Sequence, residues 1–340
     1  MSKFTKKSGF VGVDISKDRL DLALMKEESY GKYASKCVVN ELNGFDEILK
    51  WLKSNRVNLT DCLFCMEHTG TYGLMFYAWL SQVKIDYSVI PALEIKRSMG
   101  ITRGKNDQID AKRIAEYAFS NRVKLEPFSL PSVNMLQIKQ LLTYRSQLVR
   151  LSTSLKNSLK SHKQYQRITG LASLTEDIET KVEDLKVSIQ NIEKQIKDLI
   201  KKDVQLNKNY NLATSVKGIG CIIATFMLVS TANFTAFESG RKYASYSGVA
   251  PFEHSSGTSV KGRSRTSNLA NKQIKRLLSN GANSAINADP ELHAYYHRKI
   301  AEGKDHKLVI NAISCKLLNR VFATVKRETP YVITYEKKIV

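Results

Sequence analysis

Short apolar runs alternate with helical patterns over about the first 120 residues, and this alternation is the strongest constraint on the fold. Residues 10–14 and 19–25 predict two strands joined by a polar turn, and residues 33–39 predict a third strand. The pattern then predicts helices at 44–54, 72–82 and 107–119, and strands at 62–66 and 86–90. Three leading strands followed by alternating helices and strands indicate an α/β domain with a mixed sheet, which we place at residues 8–125.

The next region, residues 126–205, is predicted to be helical and changes character along its length. Residues 127–175 contain seven basic residues and no acidic one, with leucines at helical spacing. This pattern predicts a long helix whose basic face either follows a phosphate backbone or is simply solvated. From Ile178 to Leu199, apolar residues recur at alternating spacings of four and three. That spacing predicts a coiled coil, whose partner is either the preceding helix or a second chain.

The third region, residues 206–340, is predicted to be mostly helical. Within it, Lys217-Gly218-Ile219-Gly220 precedes an apolar helix. A Gly-x-Gly turn that opens a helix exposes backbone N–H groups at the positive helix end. It suits a DNA phosphate, as in helix-hairpin-helix modules, but an ordinary turn has the same sequence.

The charge balance predicts an anionic partner. The chain carries a net charge of +21, from 53 basic and 32 acidic residues. Nucleic acid is the most common partner of so basic a chain, and an acidic membrane surface is the weaker alternative. We expect no membrane span, because no apolar stretch approaches the length of about 20 residues that a span needs. We expect no signal peptide either, because the first residues lack an apolar core.

The five cysteines are scattered, which favours reduced thiols in the cytoplasm. Cys62 and Cys65 have the spacing of half a zinc site or a redox motif, but no second pair accompanies them. Their run also predicts a buried strand, so we interpret both as core residues.

Four carboxylates stand at structurally prominent positions. Asp14 and Glu67 end two predicted buried strands, and Asp107 and Asp110 lie on one face of a predicted helix's first turn. Each has an ordinary explanation, such as Asp107 acting as an N-cap. Together, however, they can converge on one edge of a mixed sheet.

Clustered carboxylates repel one another, and a divalent cation with oxygen ligands relieves that repulsion. Mg²⁺ is the expected ion, because it needs few carboxylates and leaves positions for phosphate. Two such ions about 4 Å apart can clamp a phosphodiester under attack. Two nearby acids receive other interpretations: Asp18 as a turn residue and Asp21 as an exposed strand position.

A polar stretch near the start of the last 90 residues has two interpretations. Ser255-Ser256-Gly257 is followed by Lys261, Arg263 and Arg265. The stretch is either a polar surface loop or a nucleophile that faces phosphate.

Five stretches carry a resemblance to a known family. They are GVDISKDRLDLAL (12–24), CMEHTGTYG (65–73), TRGKNDQIDAKRIAEYA (102–118), VKGIGCIIA (216–224) and YASYSGVAPFEHSSG (243–257). The chain resembles DEDD-type insertion-sequence transposases of the IS110 family, which include the Piv-like DNA invertases. The resemblance covers nearly the whole chain.

The resemblance implies a RuvC-like, RNase H-type N-terminal domain. In it, Asp14, Glu67, Asp107 and Asp110 take the positions of the family's metal-binding tetrad. It also implies a C-terminal transposase domain in which Ser256 is the nucleophile, with Ser255 as a supporting residue or the alternative nucleophile. Relatives act as dimers or tetramers with a composite site from two subunits, and a structured bridge RNA guides their recombination of double-stranded DNA. A bacterial, cytoplasmic and nucleoid-associated location follows from the same resemblance.

We therefore expect an Mg²⁺-dependent, RNA-guided serine recombinase that cuts and rejoins double-stranded DNA as a homodimer or homotetramer. Two other hypotheses remain: a metal-dependent nuclease of the Holliday-junction type, and a nucleic-acid-binding protein without catalytic activity. The candidate nucleic-acid-binding residues are Arg103, Lys105, Arg145, Arg150, Lys217, Gly218, Gly220, Lys261, Arg263 and Arg265.

Overall fold

The computed structural model describes residues 4–98, 106–250, 252–256, 260–265 and 270–333, with only the backbone of 252–256 and 260–265. The chain divides into two compact units, Met1–Leu130 and Pro131–Val340, which we describe separately. The second unit contains both the predicted middle region and the predicted C-terminal region.

The first unit is built on a five-stranded sheet. Its strands are β1 (Gly9–Ile15), β2 (Arg19–Lys26), β3 (Tyr33–Val39), β4 (Cys62–Glu67) and β5 (Asp86–Ile90), in the order β3-β2-β1-β4-β5. The first three strands form an antiparallel meander, whereas β4 and β5 run parallel to β1. The predicted mixed sheet is thus confirmed.

Helices cover both faces of this sheet. They are α1 (Leu42–Ser54), α2 (Leu74–Gln82), α3 (Ala92–Ser98) and α4 (Asp107–Asn121), of which α3 was not predicted from the sequence. Side chains alternate between faces along a strand. Val11 and Val13 accordingly join the core under α1 and α2, and Phe10 joins the core under α3 and α4.

The helix α4 lies directly against β1 at Gly12. A Cβ atom added to Gly12 falls well inside contact distance of the Ala111 carbonyl oxygen and the Ala115 backbone nitrogen. Backbone atoms cannot rotate away as a flexible side chain does. Only glycine therefore permits this approach, which fixes the position of α4 along β1.

The exchange Gly12→Ala should destabilise the protein, because the new methyl group forces α4 off the sheet. Overpacking usually costs about 1–3 kcal/mol, and a clash with backbone belongs at the upper end of that range. Denaturant unfolding of the purified variant measures the loss. Gly220→Ala is the control, because a Cβ there meets open space and the only expected cost is the N-cap preference for glycine over alanine, about 0.5 kcal/mol. An equal cost at both positions would contradict the role given to Gly12.

The second unit begins with a long helical hairpin. The helices α5 (Val133–Thr169) and α6 (Ala172–Lys202) are joined at Gly170, whose positive φ of 68° ends α5. Ion pairs of Arg145 with Glu193 and of Lys163 with Glu179 show that the helices are antiparallel. The seam residues Ile178, Ile192 and Ile196 are buried in this hairpin. Within the chain, the seam therefore faces the preceding helix.

Six further helices and a hairpin complete the described part of the second unit. They are α7 (Val204–Thr214), α8 (Cys221–Ser230), α9 (Gly240–Tyr246), β6 (Phe252–Ser256), β7 (Val260–Arg265), α10 (Lys272–Ala288), α11 (Pro290–Ala301) and α12 (His306–Arg327).

The helix α12 forms the centre of this helical core. Of the described helices, it alone is long and apolar enough to cross a membrane by length and composition. The sequence patterns did not single it out. Its residues Val309, Ile313, Leu317 and Val321 are buried among the neighbouring helices. Its apolar composition is therefore explained by packing within the protein.

Candidate active site

The register of the sheet brings three carboxylates to one level. Asp14 lies opposite Asp21 in the β1–β2 ladder, and directly opposed residues share a face of the sheet. On the other side of β1, Val13 aligns with Met66, so Glu67 follows at the level of Asp14. Neighbouring strands lie about 4.8 Å apart. The three carboxylates therefore occupy adjacent positions on β2, β1 and β4.

The first turn of α4 adds two more carboxylates above this level. Asp107 and Asp110 both lie in that turn, on the face of the sheet that carries Asp14. The N-cap is Asn106, whose side chain accepts a hydrogen bond of 3.0 Å from the Gln108 N–H. The expectation that Asp107 is the N-cap is therefore wrong. Asp107 is instead the first helical residue, where the helix dipole favours a negative charge.

The pKa of Asp14 reflects this convergence. It is raised from 3.8 to about 6, mainly by burial and then by the charges of Asp107, Asp110, Asp21 and Glu67. Both causes disfavour the ionised carboxylate. The structure thus brings together all four carboxylates that the sequence indicated, and it leaves excess negative charge among them.

Asp21 belongs to this cluster although its strand pattern predicted exposure. Its residue surface is only 5% exposed, so that expectation is wrong. The side that alternation assigned to solvent is covered by α4. The short turn between β1 and β2 does indicate the position of Asp21. When Ile15 pairs with Leu20 across this turn, Asp14 lies opposite Asp21 in the antiparallel ladder.

Two arginines pair with the helical carboxylates. The Arg19 side chain donates a hydrogen bond to Oδ2 of Asp107, and its Nε lies 3.2 Å from Asp21. Arg113 Nη1 donates to Oδ1 of Asp110 at 3.0 Å. No sequence pattern indicated Arg19, which is 88 residues from Asp107. A cation that binds Asp107 has to compete with Arg19.

The donor chemistry of the cluster fits a divalent cation. All its ligand atoms are carboxylate oxygens, which Mg²⁺ prefers, and their charges act on one another at Asp14. Across the described residues, no group of three or more His, Cys, Asp or Glu is already arranged to hold a metal ion. Binding of a cation therefore requires the carboxylate side chains to rearrange, and the ion pairs of Arg19 with Asp107 and of Arg113 with Asp110 have to open first.

Cys62 and Cys65 are confirmed as core residues. Cys62 packs in the core under α1 and α2, whereas Cys65 packs under α3 and α4. The two thiols thus lie on opposite faces of β4 and cannot bind one ion. Burial raises the pKa of Cys62 to about 12 and also raises that of Cys65, so both stay protonated thiols.

Ser256 is the last residue of β6, in a hairpin that the sequence did not predict. The strands β6 and β7 are antiparallel, with Ser255 opposite Lys261. The strand β7 also carries Arg263 and Arg265. Residues 257–259 lie outside the described residues. The backbone alone therefore places a basic strand beside the strand that ends at the serine.

The candidate basic residues before β6 fall into different environments. Arg145 donates to Glu193 at 2.7 Å and so links α5 to α6. Arg150 and Lys217 are exposed. Arg103 and Lys105 lie outside the described residues.

The two glycines of the Gly-x-Gly turn also differ. Gly218 has a φ of 90°, and an added Cβ would lie 2.5 Å from the Gly281 carbonyl oxygen. Packing against α10 thus explains Gly218. Gly220 is the N-cap of α8, with no side-chain cap and open space around it.

Comparison with known proteins identifies the class. Residues 11–164 match a DEDD-type transposase family of IS110 elements, and residues 210–297 match the transposase IS116/IS110/IS902 family. With the sheet and its carboxylates, these matches define a DNA transposase, an enzyme that recombines DNA. The chain belongs to the IS110 family, and the resemblance that the sequence motifs indicated is confirmed.

Individual relatives agree with this assignment. The pilin gene-inverting protein of Moraxella bovis is 26% identical over 328 residues, which cover 95% of this chain and 97% of the relative. A probable family 20 transposase of Pseudomonas aeruginosa is 22% identical, covering 80% and 86%. The IS110 element protein of Streptomyces coelicolor is 35% identical over 35% of this chain and 29% of the relative.

The raised pKa of Asp14 predicts a pH dependence of stability in metal-free protein. Between pH 3.8 and about 6, the folded state holds a proton that the unfolded state has released, so stability falls as pH rises. Asp14→Asn should remove this slope and raise the melting temperature at pH 7.5 but not at pH 3.5. Thermal unfolding across this range measures it, with the exposed Asp18→Asn as control. Equal slopes in wild type and Asp14→Asn would contradict the assignment.

Arg19→Gln should increase the affinity for divalent cations, because it removes the positive charge that pairs with Asp21 and Asp107. A surface ion pair is worth up to about 1 kcal/mol, so we expect about a fivefold effect. Titration with Mn²⁺ followed by electron paramagnetic resonance measures the affinity. The exposed Arg56→Gln is the charge-matched control. A weaker affinity would instead mean that Arg19 positions Asp107 for the metal.

Proposed function

We propose that this transposase cuts and rejoins double-stranded DNA with Ser256 as nucleophile and the carboxylate cluster as its Mg²⁺ site. One observation carries the proposal: four separate elements, β1, β2, β4 and α4, bring their carboxylates together around Asp14. Burial raises the pKa of Asp14 most and the neighbouring acids raise it further, and perturbed groups of this kind cluster at functional sites. Asp14, Glu67, Asp107 and Asp110 are the proposed metal ligands.

We infer that the first unit has the RuvC-like, RNase H-type fold that the family resemblance implies. The strand order β3-β2-β1-β4-β5 supports this, since a three-stranded meander is extended by two parallel strands. The position of Asp14 in the central strand, with α4 across it, supports it further.

The proposed reaction exchanges one phosphate ester for another. Ser256 Oγ attacks the scissile phosphorus, forming an O–P bond as the P–O bond to the leaving deoxyribose oxygen breaks. The serine proton is released, and the leaving oxygen gains a proton. Because the phosphoserine ester conserves the bond, the reverse attack by a DNA hydroxyl rejoins the strand without ATP.

The metal and the basic strand have separate proposed tasks. Bound Mg²⁺ would stabilise the negative charge that develops on the phosphate, since serine is a weak nucleophile unaided. Lys261, Arg263 and Arg265 of β7 would neutralise phosphates around the break. Their place in the strand paired with β6 supports this role.

Guidance and assembly complete the proposal. The serine and the carboxylates belong to different units, and we propose that the two units of one site come from different subunits. We propose a homodimer or homotetramer that joins donor and target DNA guided by a bridge RNA. The net charge of +21 and exposed cations such as Arg150 support binding to two polyanions. The relative named for inverting a pilin gene supports rejoining as well as cutting.

Ser256→Ala should reduce the rate of strand exchange at least about a thousandfold, because the nucleophile is lost. The substrate is DNA carrying the ends of the element that encodes this chain, with RNA transcribed from its non-coding end and Mg²⁺. A denaturing gel then measures both cut DNA and the covalent protein–DNA adduct. Ser255→Ala, one residue away, is the matched control and should keep the adduct.

Three outcomes separate the competing chemistries. Normal cutting by Ser256→Ala, with no adduct in wild type, would instead support a nuclease in which water attacks. Loss of the adduct in Ser255→Ala alone would move the nucleophile to that residue. Unchanged activity of Glu67→Ala would remove the metal site from the mechanism.

A further inference from the structure

A groove of about 930 Å³ lies between α10 and α12 in the second unit. One wall is a single stripe of α10, formed by Lys275, Ser279 and Asn283 at intervals of four residues. The other wall is the face of α12 from His306 to Asn319. Its size is at the upper end of ordinary ligand sites, which occupy about 300–1,000 Å³.

The groove is positively charged. Its lining contains Lys275, Lys307 and Lys316 and no acidic residue. The carboxylates close to Lys307 in the chain are engaged elsewhere. The Asp305 carboxylate caps α12 by accepting hydrogen bonds from the backbone N–H groups of Lys307 and Leu308, and Glu302 forms an ion pair with Lys299. An anion is therefore the complementary ligand.

The rest of the lining suits a nucleic acid strand better than a small anion. The Leu308 side chain, 60% exposed, lies at the groove and offers an apolar contact for a base or sugar. Exposed Asn283 and Asn319 offer amide groups to base edges. Grooves that bind single strands combine cations for the backbone with side chains, usually aromatic, that pack against the bases, and here the exposed Leu308 takes that position.

The lining of the groove favours one strand. In a duplex the bases are paired and stacked, so the exposed Leu308 side chain and the asparagine amides are better matched by the free bases of a single strand. Cys315 lies within the groove. Burial raises the pKa of its thiol, while Arg241 and Lys316 act to lower it, in keeping with a positive potential there.

The groove is continuous with the stem of the serine hairpin. Val249, which precedes β6 and lines the groove, accepts a hydrogen bond of 2.6 Å from Asn311 Nδ2. After β7, the Asn271 N–H donates to the Tyr246 carbonyl at 3.0 Å. Both ends of the segment that carries Ser256 are thus fixed beside the groove.

We propose that this groove binds a single DNA strand adjacent to the phosphate that Ser256 attacks. Lys307 and Lys316 contact its phosphates, and Leu308 contacts a base or sugar. The position next to the broken strand rests on the proposed serine mechanism, whereas binding of the strand itself does not. After cutting, the strand end is no longer covalently joined to the next nucleotide, and the groove would hold it in place.

Binding of a fluorescein-labelled 20-nucleotide DNA of mixed sequence, followed by anisotropy between 0.05 and 0.3 M KCl, tests the proposal on the full chain. The double variant Lys307→Gln/Lys316→Gln should bind at least about tenfold more weakly at 0.1 M salt. Each lost phosphate contact lowers the salt slope by about 0.7, so the slope should fall by about 1.4. Leu308→Ser tests the apolar contact and should weaken binding by about threefold.

The control is Lys201→Gln/Lys326→Gln, which makes the same change of charge at exposed positions outside the groove. It should change the affinity less than twofold, and circular dichroism checks that each variant is folded. Equal losses in both double variants would overturn the proposal. So would a loss confined to a structured RNA hairpin used in place of the DNA. Ser256→Ala should bind the strand normally, so failure of the serine mechanism and failure of the groove give different results.

Discussion

The close contact of α4 with β1 at Gly12 is the constraint on which the candidate site depends. A sheet edge and a helix start carry carboxylates in many proteins without forming a site. Here the missing side chain of Gly12 lets the α4 backbone approach the strand. Asp14 lies two residues further along the same face, so the first turn of α4 is held above it. One glycine thus determines whether acids far apart in sequence act on one another.

This arrangement costs stability and is only partly compensated. The charges around Asp14 disfavour its ionised form, and burial adds to the effect. Arg19 and Arg113 offset part of the repulsion by pairing with Asp107 and Asp110. A purely structural position would more simply hold an apolar residue. Several acids at one partly buried level are the kind of local conflict expected at a functional site.

Much of the first unit could be predicted because its chemistry is local. Alternating apolar residues determine a strand, and the five predicted strands are present. The parallel alignment of Glu67 with Asp14 could not be derived, since β1 and β4 are joined by a long connection with no fixed length rule. The burial of Asp21 could not be predicted, because strand alternation does not distinguish a face covered by a helix from a face exposed to water.

The second unit shows the same limit in another form. The heptad spacing predicted a seam, and Ile192 and Ile196 are buried as that spacing requires. The hairpin of β6 and β7 could not be predicted, because its polar and basic residues lack the apolar alternation that indicates a strand. The contacts that arrange α10 beside α12 join residues distant in sequence, which no local pattern records.

The length of the helical hairpin has a further consequence. The helix α5 has 37 residues. At a rise of 1.5 Å per residue, that is about 55 Å from end to end. Duplex DNA rises about 3.4 Å per base pair, so the same distance corresponds to about 16 base pairs. Cross-helix ion pairs and the buried seam brace the two helices along this length. The helical hairpin is therefore a rigid spacer, and its length sets the distance between the molecules that its two ends contact.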